Sequence, residues 1–282
     1  MWLWMSVCSA VLLGVYDVTK KQALKRNGVL YVLLGSTALT ALFLCPFLSE
    51  GSLQDHLSLI FKALLVSASW ISGLLGMKML PLTTVSTIKA SRPVFVVVFS
   101  IILFGERLNV WQWIGVVAVI AALYLLSVSS AREGIRFARN RGVLWMVVSV
   151  LTGAASALYD KHILGHMEPM FVQSWANVYI TAVLALCILV KTLRTAPQER
   201  EHFRWDWRLL VIAVLITISD ALYFFAVKDP GSLLSVISMV RRSSVVITFV
   251  LGALLFKEHN IRGKAADLVL LLAGLALLLF CS

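Results

Sequence analysis

Charge is scarce in this chain, and acidic charge scarcer still: of 282 residues, 14 are Asp or Glu against 25 Lys or Arg. Neither long polar connection offers a nucleophile with its base, a metal cluster or an acidic dyad, which leaves an enzyme acting on lipid-linked substrates without machinery. The four cysteines, Cys8, Cys45, Cys187 and Cys281, stand isolated in or beside apolar runs with no CxxC spacing, so they read as packing residues and not as a metal or redox centre. His162 and His166 share a helical spacing, but two histidines do not complete a metal site, and neither metal nor cofactor is expected. The net charge of +11 would suggest nucleic acid in a soluble protein. Here the cations gather beside apolar runs, where retention on the cytoplasmic side explains them, and nucleic acid is excluded.

What the chain has in abundance is apolar sequence: 60% hydrophobic, mean hydropathy +0.91, in repeated runs near twenty residues. The class is an all-α polytopic membrane protein whose immediate partner is the lipid bilayer. Ten spans are expected: Trp2 to Val18, Val29 to Leu48, Leu57 to Met77, Leu82 to Phe104, Val110 to Val128, Val143 to Tyr159, Phe171 to Val190, Leu209 to Val227, Ser232 to Phe256, and Lys264 to Cys281. The first has no basic leader and no small-residue cleavage site, so it reads as a retained helix and not as a signal peptide. A charged connection, 129–141, separates five spans (1–128) from five (142–282). An odd number per half sets the two halves in opposite orientation, the inverted-repeat arrangement of many transporters. Seventeen basic residues, among them Lys20, Lys21, Lys25, Arg26, Lys78 and Lys264, fall in or beside connections on one side, against Lys62, Arg107, Lys161 and Lys228 on the other. That bias puts both termini outside the cytoplasm of a cell inner membrane. Tryptophans at the span starts, such as Trp4, Trp111, Trp145 and Trp207, are interfacial anchors.

The fourth span carries two cations inside it. At about 1.5 Å per residue from Pro81, Lys89 lies roughly 12 Å deep and Arg92 roughly 16 Å, near the middle of a core about 30 Å thick. Residues three apart share a face, so Ser86, Lys89 and Arg92 form a polar stripe that should meet protein or water. A shift of 152 residues lays Val85 to Ser91 on Ile237 to Ser243 and Phe104-Gly105-Glu106 on Phe256-Lys257-Glu258, with Lys89 falling on Arg241. Tyr16-Asp17 likewise matches Tyr159-Asp160. Coincident charges in apolar sequence mark a duplication.

The phrase from Arg92 to Leu126 resembles the closing helix pair of the drug/metabolite transporter superfamily, and of EamA-type carriers in particular. There, each repeat has a proline, an apolar helix, a glycine-glutamate turn and a QxxG start to the next helix; Pro93, Gly105, Glu106, Gln112 and Gly115 match. In the second half Glu258 remains, while Val245 replaces the proline and Lys257 the glycine. The resemblance spans essentially the whole chain and implies a ten-helix membrane transporter acting by alternating access, not an enzyme. Many relatives keep their termini in the cytoplasm, opposite to the basic-residue bias. The sugar-phosphate and triose-phosphate carriers of the same superfamily hold phosphate with a lysine of helix four and a basic pair of helix nine, comparable to Lys89 and Arg241-Arg242.

Intramembrane cations line a cavity or pair with another charge. Lys89, Arg92, Arg241 and Arg242 outnumber the deep acids Asp220 and Asp267, which leaves positive charge for a small anionic metabolite bearing phosphate or carboxylate. Ser86, Ser235, Ser238 and Tyr223 could add hydrogen bonds, and Asp220, Tyr16, Asp17, Tyr159 and Asp160 are candidate coupling or gating residues at the ends of the spans. Two alternatives stay open: a flippase for a phosphate-bearing lipid or polyprenyl-phosphate head group, and an EamA-type exporter of amino acids or other metabolites in which the cations are structural.

Overall fold

In a computed structural model the described residues are 2–92, 94, 95, 99, 109–131, 137–163, 166–194, 203–228, 240, 241, 243–256 and 261–280. They form ten α-helices and, among the described residues, no strand. In chain order these are α1 (Trp2–Ala23), α2 (Val29–Leu44), α3 (Leu53–Met79), α4 (Leu82–Ala90), α5 (Val110–Ala131), α6 (Arg141–Ile163), α7 (Pro169–Arg194), α8 (Trp207–Lys228), α9 (Ser244–Phe256) and α10 (Ile261–Phe280). Six, namely α1, α2, α3, α5, α6 and α7, are long and apolar enough to cross a bilayer by their own composition. The apolar residues are turned outward as well as inward. Leu57, Leu64, Val117, Ile120, Leu186 and Leu193 are exposed, as are Trp4, Trp111, Trp145 and Trp207 at the helix ends, a surface suited to lipid and interface. The chain is an all-α polytopic membrane protein.

Local chemistry sets several boundaries that apolar periodicity missed. The third helix starts at Leu53, four residues before the expected Leu57, because Ser52 accepts from the Asp55 N–H while Asp55 accepts from the Ser52 N–H, a complete capping box. The first helix runs past Val18 to Ala23, carrying Lys20 and Lys21 inside it and not in a connection. Lys21 Nζ then donates to the carbonyl of Leu80 at 2.6 Å and to that of Met77, satisfying orphan acceptors where α3 turns into α4. This clamp fixes the end of α1 against the start of α4.

The larger departure is in the fourth span, expected as one helix from Leu82. Its described first helix ends at Ala90, where the Ser91 Oγ donates to the Ile88 carbonyl at 2.7 Å and the Ser91 N–H donates to the same oxygen at 3.1 Å. The Val94 N–H in turn donates to the Ser91 carbonyl at 3.0 Å, a three-residue step where an α-helix would step four. The same three bonds recur 152 residues on: Ser243 Oγ to Val240 O at 2.6 Å, Ser243 N to Val240 O at 3.0 Å, Val246 N to Ser243 O at 2.9 Å. Each interruption adjoins a cation, Lys89 and Arg92 in one copy and Arg241 in the other.

Helix pairing crosses between the halves of the chain. The most extensive packing is α3 on α6, α1 on α8 and α5 on α10. Exchanging the halves turns the first pair into the second and leaves the third unchanged. Each of the first two seams is closed by a reciprocal serine pair. Ser69 Oγ donates to the Ser149 carbonyl at 2.8 Å and Ser149 Oγ to the Ser69 carbonyl at 2.7 Å. Ser9 Oγ donates to the Ser219 carbonyl at 2.8 Å and Ser219 Oγ to the Ser9 carbonyl at 3.0 Å. Small residues let such backbones approach: a Cβ at Gly73 would stand 2.7 Å from Ser149 Oγ, and one at Gly76 2.6 Å from Met146 Cγ.

Candidate substrate site

Between these seams lies a cavity of about 420 Å³. Its walls come from α1, α3, the interrupted ends of α4 and α9, and parts of α6, α8 and α10. Among the described residues, four cations line it, Lys20, Lys89, Arg92 and Arg241, against one carboxylate, Asp17. Asp17 lies six residues before the end of α1, about 9 Å at helical rise, so it sits inside the protein and not at the interface expected from counting the first span to Val18. The Lys21 clamp turns this last stretch of α1 toward α4, and Lys89 Nζ meets Asp17 Oδ1 at 2.8 Å.

Arg241 is held differently. Its guanidinium pairs with Asp220 of α8, and its Cζ lies 4.3 Å from the centre of the Tyr223 ring. Gln173 Nε2 of α7 reaches the second Asp220 oxygen at 3.4 Å. Asp220 is thus committed to a basic residue of the site, whereas Asp267 on α10 hydrogen-bonds Ser129 and lines no part of the cavity. Tyr223 contributes a ring wall.

Two cations of the cavity have no acid of their own. Among the described residues, neither Lys20 nor Arg92 makes an ion pair or a side-chain hydrogen bond. Lys20, 4% exposed, rests its ammonium 4.1 Å from the centre of the Tyr16 ring and 5.2 Å from that of Trp70, an arrangement worth about 0.5–2 kcal/mol in all. Arg92 lies flat against α6 at Gly153, where a Cβ would come within 2.5 Å of the guanidinium carbon. A slot made by a missing side chain aims this arginine into the cavity. Gly153→Ala should push Arg92 from its slot without altering any charge, weakening binding of an anionic ligand about tenfold, or ~1.4 kcal/mol. An unchanged ligand titration in the variant would show that the slot does not aim Arg92.

Other sequence candidates fall elsewhere. Ser86, expected on a stripe with Lys89 and Arg92, is 1% exposed and donates to its own helix at the Thr83 carbonyl, 2.8 Å away, so it does not reach the cavity. Tyr159 and Asp160 do not mirror Tyr16 and Asp17: Asp160 pairs with Lys62 of α3 at 2.7 Å, and the Tyr159 ring packs edge-on against Phe61, 5.1 Å between centres. Arg242, Ser235, Ser238, Pro93, Gly105, Glu106, Lys257 and Glu258 lie outside the described residues. Lys20 was missed because a basic residue after an apolar run resembles any topological anchor; its spacing of three from Asp17 and four from Tyr16 was the available signal.

The model of the EamA-like transporter family matches residues 1–128 and 140–280. The chain belongs to that family. A solved structure described as "Crystal structure of protein" has the same fold, with a TM-score of 0.64 and 14% identity over 99% of this chain and 96% of that one. No curated protein matches the chain. EamA-like membership makes the chain a multi-pass membrane transporter, and the close approach of α5 and α10 gives a physical role to one of its motif residues. Gly115, which closes the QxxG pattern, has its carbonyl 2.9 Å from where a Cβ on Gly274 would stand.

Proposed function

We infer that this EamA-like transporter carries a small organic anion through its cell membrane by alternating access, binding it in the cavity between α1, α3, α4 and α9. The observation that carries this reading is the charge of the cavity wall: four cations face it, two engaged by Asp17 and Asp220 and two with no acid among the described residues. Unpaired positive charge within membrane depth is costly to keep and marks a path for negative charge. The volume suits a metabolite-sized ligand, near the lower end of small-molecule sites. The halves are read as two inverted five-helix repeats, in line with the serine-centred breaks of α4 and α9 and the exchange-related seams. Basic-residue bias further reads the connections after α1, α5 and α7 as cytoplasmic in an inner membrane, with both termini outside.

Thermal stabilisation of the purified protein in detergent tests the substrate charge. Sugar phosphates, other organic phosphates or carboxylates should raise the melting temperature, since a cavity with surplus cations attracts anions and repels amines. Ligands confined to zwitterionic or cationic amino compounds would instead favour an amino-acid exporter in which all four cations are structural.

A further inference from the structure

The two acid-engaged cations and the two acid-free ones are not equivalent, and their difference fixes a number. Lys89 with Asp17 and Arg241 with Asp220 are each neutral overall. Lys20 and Arg92 remain, both on the wall of the same cavity as Asp17. Neither can leave easily. Lys20 is stacked between the rings of Tyr16 and Trp70, and Arg92 occupies the slot over Gly153. With both ion pairs intact and Lys20 protonated, the described side chains of the site sum to two positive charges.

Resting on the anion reading above, we propose that the substrate of this cavity is a dianion, a phosphomonoester or a dicarboxylate, and that Lys20 is the residue that sets the requirement for a second negative charge. Arg92, planar and forked, is suited to grip an oxyanion through two parallel bonds. Lys20 supplies a compact charge with three donors that can follow the second oxygen or the second group. A monoanion satisfies one of the two and leaves the other desolvated and unmatched, which costs more than the missing attraction alone. The Tyr16 and Trp70 rings beside Lys20 offer faces that attract an ammonium without neutralising it. The same chemistry would serve a free metabolite or a lipid whose head group is a phosphomonoester.

The experiment compares methyl phosphate with dimethyl phosphate at pH 7.5, by titration calorimetry on the purified full-length protein. The monoester, with a second pKa near 6, is then mostly a dianion, whereas the diester stays a monoanion. Methyl phosphate should bind the wild type at least tenfold more tightly than dimethyl phosphate. Lys20→Met, whose thioether can pack against the same rings, should erase that preference, and Lys20→Arg should retain it. A lysine that merely packs would lower the melting temperature on replacement without changing the ratio. Equal binding of the two esters by wild type, or a preference that survives in Lys20→Met, overturns the dianion assignment while anion binding itself stands. Failure of both esters and of succinate to bind, with amines binding instead, overturns the anion reading and this one with it. In nanodiscs, displacement of bound methyl phosphate by phosphatidate assigns the dianion to a lipid head group, and indifference to phosphatidate assigns it to a soluble metabolite; either result upholds the charge requirement.

Discussion

Arg241→Ala should lower the unfolding free energy of the protein by about 2 kcal/mol, and adding Asp220→Asn should return most of it. Removing the arginine strands the Asp220 carboxylate within the membrane, with only Gln173 near its second oxygen. The side chains of the pair are 22% and 25% exposed, so the cost falls below that of a fully dry pair. Neutralising the aspartate as well removes the stranded charge. In a double-mutant cycle read by thermal melting, the coupling between the two changes should be large and favourable. Additive losses would mean that Arg241 and Asp220 do not depend on each other, and Arg241 would then count as a third cation available to substrate.

Gly274→Leu should be more damaging still, at least about 3 kcal/mol, the upper end of what overpacking costs. A Cβ on Gly274 meets the Gly115 carbonyl at 2.9 Å, Val119 Cγ2 at 2.9 Å and Ala118 Cβ at 3.0 Å. One of these is main chain, so no rotamer change can relieve the contact and α5 and α10 must separate. With them goes the packing of Val116, Val119, Ala122, Leu268, Leu271 and Leu275, one of the buried clusters. Gly274→Ala should show the same sign at a smaller size. A wild-type melting temperature for the leucine variant would mean that the two helices are not in close approach there.

Much of the fold was legible from the chain because lipid leaves few options: ten apolar runs, backbone hydrogen bonds closed within each, and basic flanks. Lys89 and Arg241 stood out for the complementary reason, since a cation in an apolar run must either pair with a charge or face a cavity. What escaped was whatever local hydrogen bonding decides. Serine in a helix is unremarkable by composition, yet Ser91 and Ser243 turn their hydroxyls onto the carbonyl three residues back and interrupt the helix there. The proline at position 93 could have been credited with the break, but the second copy breaks in the same way with Val245 in its place. Asp17 was assigned to the interface because the first span was ended at Val18, and one further turn of helix moved it, with Lys20, into the site. Ser86 was lost from the site by the same mechanism, its hydroxyl spent on its own backbone.

The reciprocal serine seams also constrain how the molecule can be made. Ser9 and Ser69 are synthesised early, yet their partners, Ser219 and Ser149, belong to helices that leave the ribosome only after α5. Until α6 and α8 are inserted, α1 and α3 present to lipid the small-residue faces that let backbones approach, with hydroxyls able to bond only within their own helices. Each such hydroxyl contributes about 0.6 kcal/mol when it finds a neighbour in the membrane, too little to hold a half-chain in its final shape. The cavity is walled by helices of both halves, so it is complete only once α6, α8, α9 and α10 are in place.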